Sequence, residues 1–216
     1  MTRWRRAVLV VTILSRLENS ETAVNEDHPR QPAAPVRRLH ENLVYRNQFA
    51  AIYDDPVAFP DGSPGTFLRI VESDGKPGVA MLALCGGQIA LVRTYRYALR
   101  LWEWSVPRGF AHGDDADGSA QAELEEELGE RPNELISIGT VTPNSSLLAS
   151  EVKLYLALYS TTPSAPADRK EVAEVKWIDL KTLYAQIVSG HIKDAFTLSA
   201  LTCAQARRYI ALEDLI

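Results

Sequence analysis

The sequence predicts an α/β sandwich, because short apolar segments typical of β-strands are interspersed with three segments typical of helices. Turn residues separate the strand-like segments, and residues 88–97 are so largely apolar that this strand is expected to be buried on both faces. The chain has 216 residues, of which 46% are hydrophobic, so it can bury a single substantial core.

The expected elements follow one another without an internal repeat. Strands are expected at residues 43–53, 66–71, 78–84, 88–97, 134–141, 151–159 and 174–178, and helices at residues 118–129, 179–189 and 195–212. Pro60-Asp61-Gly62 and Pro64-Gly65 are turn signals that separate the first two strands.

Residues 1–39 are predicted to be an N-terminal extension and linker. Three arginines followed by an apolar run imitate a signal peptide, but the run is far too short to span a bilayer and no small-residue cleavage site follows it. A short additional helix or strand, or an over-extended start, is the preferred interpretation. Prolines at positions 29, 32 and 35 are typical of a linker. We therefore expect a cytoplasmic protein with no membrane partner.

The net charge and the cysteine content limit the functions and the cellular compartments that the sequence fits. The net charge of −5 argues against a general nucleic-acid binder, which would need a basic stripe for the phosphate backbone. An acidic protein that acts on an anionic substrate needs local cations, and this strengthens the case for a metal ion. Cys85 and Cys203 lie in apolar surroundings without metal-ligand spacing, so we expect buried thiols in a reducing compartment.

Four glutamates occupy five consecutive positions in the first expected helix. At about 100° per residue, Leu124 and Leu128 share an apolar face. Glu123 and Glu127 stand one turn apart beside that face, and Glu126 is adjacent to them. Such carboxylates suit Mg²⁺ or Mn²⁺, with substrate phosphates and waters as the remaining ligands. The alternative is an ordinary amphipathic helix with a solvated acidic surface, and the helix by itself leaves both open.

The residues around this helix resemble the Nudix box, a motif of a glycine, a later glutamate and a final Arg-Glu-apolar-x-Glu-Glu-x-Gly segment. Pro107-Arg108-Gly109-Phe110 supplies the first glycine. The final segment is matched at its characteristic positions by Glu123, Glu126, Glu127 and Gly129.

Three departures from the motif are visible. Only four residues separate Gly109 from Asp114, and Asp114 stands where a glutamate is usual. Ala122 occupies the arginine position, and Glu130 stands where an apolar residue is usual. In the family that arginine mainly orients the glutamates, whereas the later glutamates hold metal. The departures therefore bear on loop order and efficiency more than on metal binding.

The resemblance extends to the ADP-ribose pyrophosphatase branch of the family and covers about residues 40–210. It is also carried by the segments at residues 59–66, 91–97 and 187–194. The branch implies a Nudix-type α/β/α sandwich with a mixed β-sheet at residues 71–216, preceded by N-terminal β-strands at residues 40–70. Because relatives often dimerise through those strands, a homodimer with its interface at residues 40–70 is expected.

The resemblance also implies roles for the acidic residues. Glu123 and Glu127 are the first candidates for metal ligands, and Glu126 is a shared ligand or the catalytic base. The backbone carbonyl of Arg108 is a further candidate ligand. Glu151, at the end of a long polar loop, matches a family glutamate that acts as base or metal ligand, and a mobile loop there would exclude bulk water. For each carboxylate the alternative is plain surface charge.

Three residues are candidates for substrate binding. Arg96 matches a family arginine near the phosphates and could pair with them through two hydrogen bonds, although a buried structural ion pair is the equal alternative. Trp102 and Trp104 could stack on an adenine, or else belong to the core or to a dimer interface.

Together these features predict a Mg²⁺-dependent hydrolase, with Mn²⁺ as a second candidate metal. Its substrate would be a nucleoside diphosphate linked to a sugar, with ADP-ribose as the best single choice and AMP and ribose 5-phosphate as products. The alternative is a Nudix-like module that binds a nucleotide as a sensor or regulator without hydrolysing it.

Overall fold

The structure is a computed structural model, and it describes residues 35–111, 115–163 and 172–210. Every strand and helix named below belongs to one compact unit that begins at Arg37. Within the described residues, no helix has both the length and the apolar character that crossing a membrane requires. The predicted extension at residues 1–39 falls almost wholly outside the described residues.

Four antiparallel strands form an N-terminal sheet. They are β1 (Arg37–Arg38), β2 (Leu43–Arg46), β3 (Ala50–Ala58) and β4 (Pro64–Glu72). β3 lies in the middle, pairing with β1 and β2 along one edge and with β4 along the other. A short 3₁₀ turn, Ser73–Gly75, follows β4.

The single strand expected at residues 43–53 is wrong, because the chain turns within it and forms β2 and β3. The side-chain oxygen of Asn47 accepts hydrogen bonds from the backbone N–H groups of Phe49 (2.8 Å) and Ala50 (2.9 Å). Asparagine often stabilises turns in this way, by bonding to the backbone two or three residues further on. The aliphatic and aromatic composition of the segment concealed this turn.

Asp55 is a buried carboxylate in the N-terminal sheet, with 3% of its surface exposed. Its oxygens accept hydrogen bonds from the backbone N–H of Asn42 and from Nε of Arg69, both at 3.0 Å. Burial by itself would raise the pKa of Asp55, but these hydrogen bonds and the charges of Arg69 and Arg38 outweigh it. The pKa of Asp55 therefore lies below its usual value of 3.8.

We expect Asp55→Asn to destabilise the protein more at pH 7 than in acid. Because the pKa of Asp55 is lowered on folding, its carboxylate stabilises the fold above pH 3.8, and this stabilisation disappears as the pH falls through the folded-state pKa. Urea unfolding of the variant and the parent, at pH 7 and at about pH 2.5, measures the difference. Asp54→Asn, on the other face of β3, is the control. A destabilisation by Asp55→Asn that is equal at both pH values would contradict this account.

Seven strands form the main sheet. They are β5 (Gly78–Cys85), β6 (Gln88–Arg96), β7 (Leu101–Ser105), β8 (Arg108–Phe110), β9 (Glu134–Val141), β10 (Val152–Tyr159) and β11 (Val172–Asp179). The order is β11-β6-β5-β10-β9, with β7 paired to β6 and β8 paired to β5. β5 and β10 are parallel, whereas the other pairs are antiparallel. The predicted mixed sheet is therefore confirmed.

Three helices accompany this sheet: α1 (Ala116–Leu128), α2 (Leu180–Val188) and α3 (Ala195–Ala206). Each begins after an aspartate whose side chain accepts a backbone N–H of the first turn, at Asp115, Asp179 and Asp194. α1 ends at Gly129, whose φ of 92° is the left-handed conformation expected there. The third helix stops before the predicted residue 212, because Arg208 has a φ of 62° and cannot continue it.

The side chains of the main sheet pack into a hydrophobic cluster on each face. On one face Val79 and Met81 pack with Leu124 and Leu128 of α1. On the other face the intervening side chains, such as Ala80 and Leu82, pack with apolar residues of α2 and α3. Helices therefore cover both faces of the sheet, which confirms the predicted α/β/α sandwich.

Candidate active site

The centre of the candidate site is the contact between α1 and the short strand β8. Gly109 lies directly against the carboxylate of Glu123, and a Cβ added to Gly109 would overlap that carboxylate. On the same strand, the backbone N–H of Arg108 donates a 3.1 Å hydrogen bond to Oε2 of Glu127. Glycine leaves this space to the Glu123 carboxylate, because a side chain at position 109 would displace that carboxylate from β8. Two of the predicted metal ligands, Glu123 and Glu127 of α1, are thereby held against β8.

The pairing of β8 with β5 leaves the backbone of Arg108 available to this site. The backbone N–H of Met81 donates to the carbonyl of Pro107 (2.9 Å), and that of Ala111 donates to the carbonyl of Pro77 (3.0 Å). In an antiparallel ladder alternate residues bond to the neighbour. The N–H and carbonyl of Arg108 therefore point away from β5, toward the edge of β8 where Glu127 lies. This geometry suits the predicted role of the Arg108 carbonyl as a ligand.

The donor set fits a hard divalent cation. Glu123 and Glu127 are half-buried beside β8, and Glu126 is exposed on the same helix. Among the described residues, no three or more His, Cys, Asp or Glu side chains form a group that could hold a metal by themselves. Mg²⁺ usually takes only one or two protein carboxylates, together with waters and substrate phosphates. Asp114, at the position of the family's first glutamate, lies outside the described residues.

The side chain of Arg108 anchors β8 from the other face of the sheet. Its Nη1 lies 3.4 Å from Oδ2 of Asp194, and its guanidinium carbon lies 4.8 Å from the ring centroid of Phe196. Burial is the main reason why the pKa of Arg108 is lowered, and the charge of Arg96 adds to this, whereas Asp194 opposes it. Asp194 also caps α3 by accepting from the N–H of Thr197 (2.9 Å). The sequence analysis did not select Asp194 as a site residue. Its position directly before a helix was the signal that could have identified it.

Arg96 lies at the end of β6 and forms an ion pair. Its Nε lies 3.4 Å from Oε2 of the buried Glu103, and its Nη2 donates a 2.9 Å hydrogen bond to Oγ of Ser105. The contact with Glu103 does not have hydrogen-bond geometry, so the buried Nε has no hydrogen-bond partner among the described residues. Arg96 is close enough to Arg108 to act on its pKa. The guanidinium groups of Arg96 and Arg108 therefore lie near each other.

Glu151 is exposed at the start of β10. Its carbonyl accepts a 2.9 Å hydrogen bond from the backbone N–H of Gly78. The next residue, Val152, points into the cluster beside α2 and α3, so strand alternation turns Glu151 toward the α1 face. β5 separates β10 from β8, so Glu151 shares this face with Glu123 but lies two strands away from the strand that Glu123 contacts.

The loop before Glu151 is attached to the N-terminal sheet. The N–H of Ile70 donates to the carbonyl of Leu147, and the N–H of Ala149 donates to the carbonyl of Ile70, both at 2.9 Å. Oγ of Ser150 also donates a 3.0 Å hydrogen bond to Oε2 of Glu72. These bonds attach the C-terminal half of the loop to β4, and the predicted mobility of the loop stays a prediction.

Trp102 and Trp104 lie apart from Glu123 and Glu127. Both line a cavity on the α2 side of the sheet, and Trp104 packs against the cluster that contains residues of α2 and α3. Glu103, between them on β7, points to the opposite face. The structure therefore does not bring the two tryptophans together with Glu123 and Glu127, and their predicted contact with a substrate base stays a prediction.

An α/β/α sandwich that holds an acidic helix against a glycine-containing strand defines a class of domain, and the sequence matches it. A family model of the NUDIX domain matches residues 75–196, more than half of the chain, so this protein belongs to the Nudix family.

Two known proteins illustrate the similarity. The chain is 24% identical over 160 residues to a CMP-5'-(N-acetyl-N-hydroxy-3-aminopropyl)phosphonate hydrolase of Streptomyces rubellomurinus, and the match covers 69% of this chain and 72% of that protein. A solved structure of an ADP compounds hydrolase superimposes with a TM-score of 0.69 at 18% identity. That superposition covers 82% of this chain and 98% of the other. The second likeness supports the fold.

Proposed function

We propose that this protein hydrolyses the diphosphate bond of a nucleoside diphosphate linked to a sugar, with ADP-ribose as the first substrate to test. The observation that carries the proposal is the contact of Glu123 and Glu127 with β8, which brings the carboxylates of α1 beside the backbone of Arg108. In the reaction, the oxygen of a water attacks one phosphorus atom and the bridging P–O bond breaks. The bridging oxygen leaves with the other phosphate, which gives AMP and ribose 5-phosphate.

The residues present would hold a divalent metal ion, Mg²⁺ in the first place and Mn²⁺ as the alternative. Its protein ligands would be Glu123, Glu127 and the backbone carbonyl of Arg108, with the exposed Glu126 as a shared ligand. When bound, such an ion neutralises charge on the phosphoryl oxygens and makes water more acidic. Support comes from the carboxylate chemistry and from the family, whose members generally use divalent metals.

Proton transfer and phosphate binding would be carried out by other side chains of the candidate site. Glu126 or Glu151 would accept the proton of the attacking water, because both carboxylates are exposed to solvent. Arg96 would pair with a substrate phosphate, since its guanidinium is positively charged and its side chain is partly exposed. Its ion pair with Glu103 would hold the guanidinium in place.

The names of the relatives favour a nucleotide substrate. One is a hydrolase of a CMP-linked phosphonate and the other is a hydrolase of ADP compounds. They differ in the base, so the base is the property of this substrate that most needs a direct test.

A substrate screen tests the proposed function. The protein is mixed with ADP-ribose, ADP-glucose, a CDP-linked alcohol or a UDP-sugar, with Mg²⁺, Mn²⁺ or EDTA, and nucleotide products are separated by ion-exchange chromatography. Release of AMP from ADP-ribose that stops in EDTA is the expected result. Tight binding of ADP-ribose by calorimetry without turnover in either metal would contradict hydrolysis and would favour a sensor.

We also propose that the protein is a cytoplasmic homodimer, joined through residues 40–70. β2 and β4 expose apolar side chains that monomers usually bury or scatter, including Val44 (62% exposed) and Phe67 (45% exposed). Cys85 and Cys203 are free thiols, which is usual in a reducing compartment.

We expect Val44→Glu to convert the dimer to a monomer, because a charge at an apolar interface must lose its hydration. Size-exclusion chromatography with light scattering should give twice the chain mass for the parent protein and one chain mass for the variant. Val188→Glu, at an 88% exposed position on α2, is the matched control and should remain dimeric. A monomeric parent protein would refute the proposed assembly.

A further inference from the structure

A cavity of about 570 Å³ lies between β6, β7, β11 and α2. Its volume is within the range of small-molecule sites, which is roughly 300–1,000 Å³. It opens on the α2 face of the main sheet, whereas Glu123 and Glu127 lie against the α1 face. No step of the proposed hydrolysis requires it.

The walls of this cavity combine flat aromatic rings with positive charge. The guanidinium carbon of Arg93 lies 5.1 Å from the ring centroid of Trp102. Nζ of Lys176 lies 4.3 Å from the ring centroid of Trp104. These distances allow cation–π attraction and place both cations at the aromatic surface.

The positive charge in the cavity is only partly neutralised. Glu174 is shared by both cations, with Oε2 at 3.6 Å from Nη1 of Arg93 and Oε1 at 3.5 Å from Nζ of Lys176. One carboxylate therefore balances two cations. His191 also lines the cavity, where its Nδ1 lies 2.8 Å from Oγ of Ser189. The cavity thus offers donors to an anion in addition to an aromatic platform.

We propose that this cavity is a second, non-hydrolytic site for a nucleoside monophosphate. The base would stack on Trp102, which is 49% exposed and therefore accessible at the cavity wall. The phosphate would pair with Arg93 and Lys176. A purely structural role for the cation–aromatic contacts would not require a cavity of this size beside them. The inference does not depend on the hydrolysis proposed above.

Binding of AMP in EDTA tests the proposal, because the proposed metal-dependent site is then disabled. AMP should quench tryptophan fluorescence and saturate at a single site. Adenosine and ribose 5-phosphate, each carrying one half of the ligand, should bind at least about tenfold more weakly than AMP. Glu127→Gln should bind AMP with unchanged affinity, because Glu127 lies on the other face of the sheet.

Two variants with matched controls locate the binding. Trp102→Ala and Lys176→Ala should each raise the Kd of AMP at least about tenfold, measured by calorimetry. Tyr97→Ala and Lys181→Ala remove an exposed aromatic residue and an exposed lysine outside the cavity, and should leave the Kd unchanged. All these side chains are substantially exposed, so the variants should fold, and circular dichroism checks this.

Three results would overturn the proposal. The first is no AMP binding in EDTA up to about 10 mM, a concentration that detects even very weak sites. The second is an unchanged Kd in both Trp102→Ala and Lys176→Ala. The third is binding that requires Mg²⁺ and disappears in Glu127→Gln, because AMP would then occupy the proposed hydrolytic site.

Discussion

Glu127→Gln is expected to lower kcat for ADP-ribose hydrolysis by about 10³-fold, and Glu123→Gln by a similar factor. A bound metal contributes several kcal/mol of charge stabilisation in the transition state, and each 1.4 kcal/mol corresponds to a factor of ten in rate. Glutamine keeps the size of the side chain and one oxygen, but it removes the negative charge. Initial rates of AMP release at saturating Mg²⁺ measure the effect.

Glu125→Gln is the matched control for these variants. Glu125 lies on the same helix, is exposed, and pairs with Arg131 at 2.6 Å, well away from β8. Exposed ion pairs contribute little to stability, so this variant should hydrolyse ADP-ribose at the parent rate. Full activity in both Glu123→Gln and Glu127→Gln would remove the metal assignment.

Gly109→Ala is expected to lower kcat for ADP-ribose hydrolysis at least about tenfold and to change stability little. The added methyl group would occupy the space of the Glu123 carboxylate, so the flexible end of that side chain must turn away from β8. The hydrogen bond from the N–H of Arg108 to Glu127 should remain, because the backbones of α1 and β8 need not move. Urea unfolding and AMP release measure the two effects on the same sample.

Gly65→Ala provides the comparison for this substitution. The added methyl group at Gly65 would overlap the edge of the Phe59 ring, which must rotate away, and the three atoms nearest to it all belong to that ring. We therefore expect a small change in stability and no change in kcat. If Gly109→Ala behaved like Gly65→Ala, the close packing of Glu123 on β8 would not matter for the reaction.

Long periodic segments were predictable from the sequence, and short irregular ones were not. The helix at Ala116–Leu128 was predicted within two residues, because its apolar stripe and its terminal glycine are local signals. β7 and β8 were not predicted, since five and three residues are too few to establish a period. The turn at Asn47 was hidden because many of the residues around it, such as Val44, Tyr45 and Phe49, are good strand formers.

The candidate site was predictable where spacing along one helix determines it. Glu123 and Glu127 lie one turn apart, so their placement on one side of α1 follows from helix geometry alone. Asp194 and the cavity beside Trp102 depend on contacts between residues far apart in the chain. No local pattern encodes such contacts, and the face of the sheet on which Trp102 lies depends on the register of β7.

Titration with Mn²⁺, followed by electron paramagnetic resonance, tests the central claim most directly, because it observes the metal itself. The parent protein should bind Mn²⁺, and added Mg²⁺ should compete for the same site. The double variant Glu123→Gln/Glu127→Gln should lose this binding, whereas Glu125→Gln should keep it. Equal Mn²⁺ affinity in the double variant and the parent protein would show that α1 and β8 do not form the metal site.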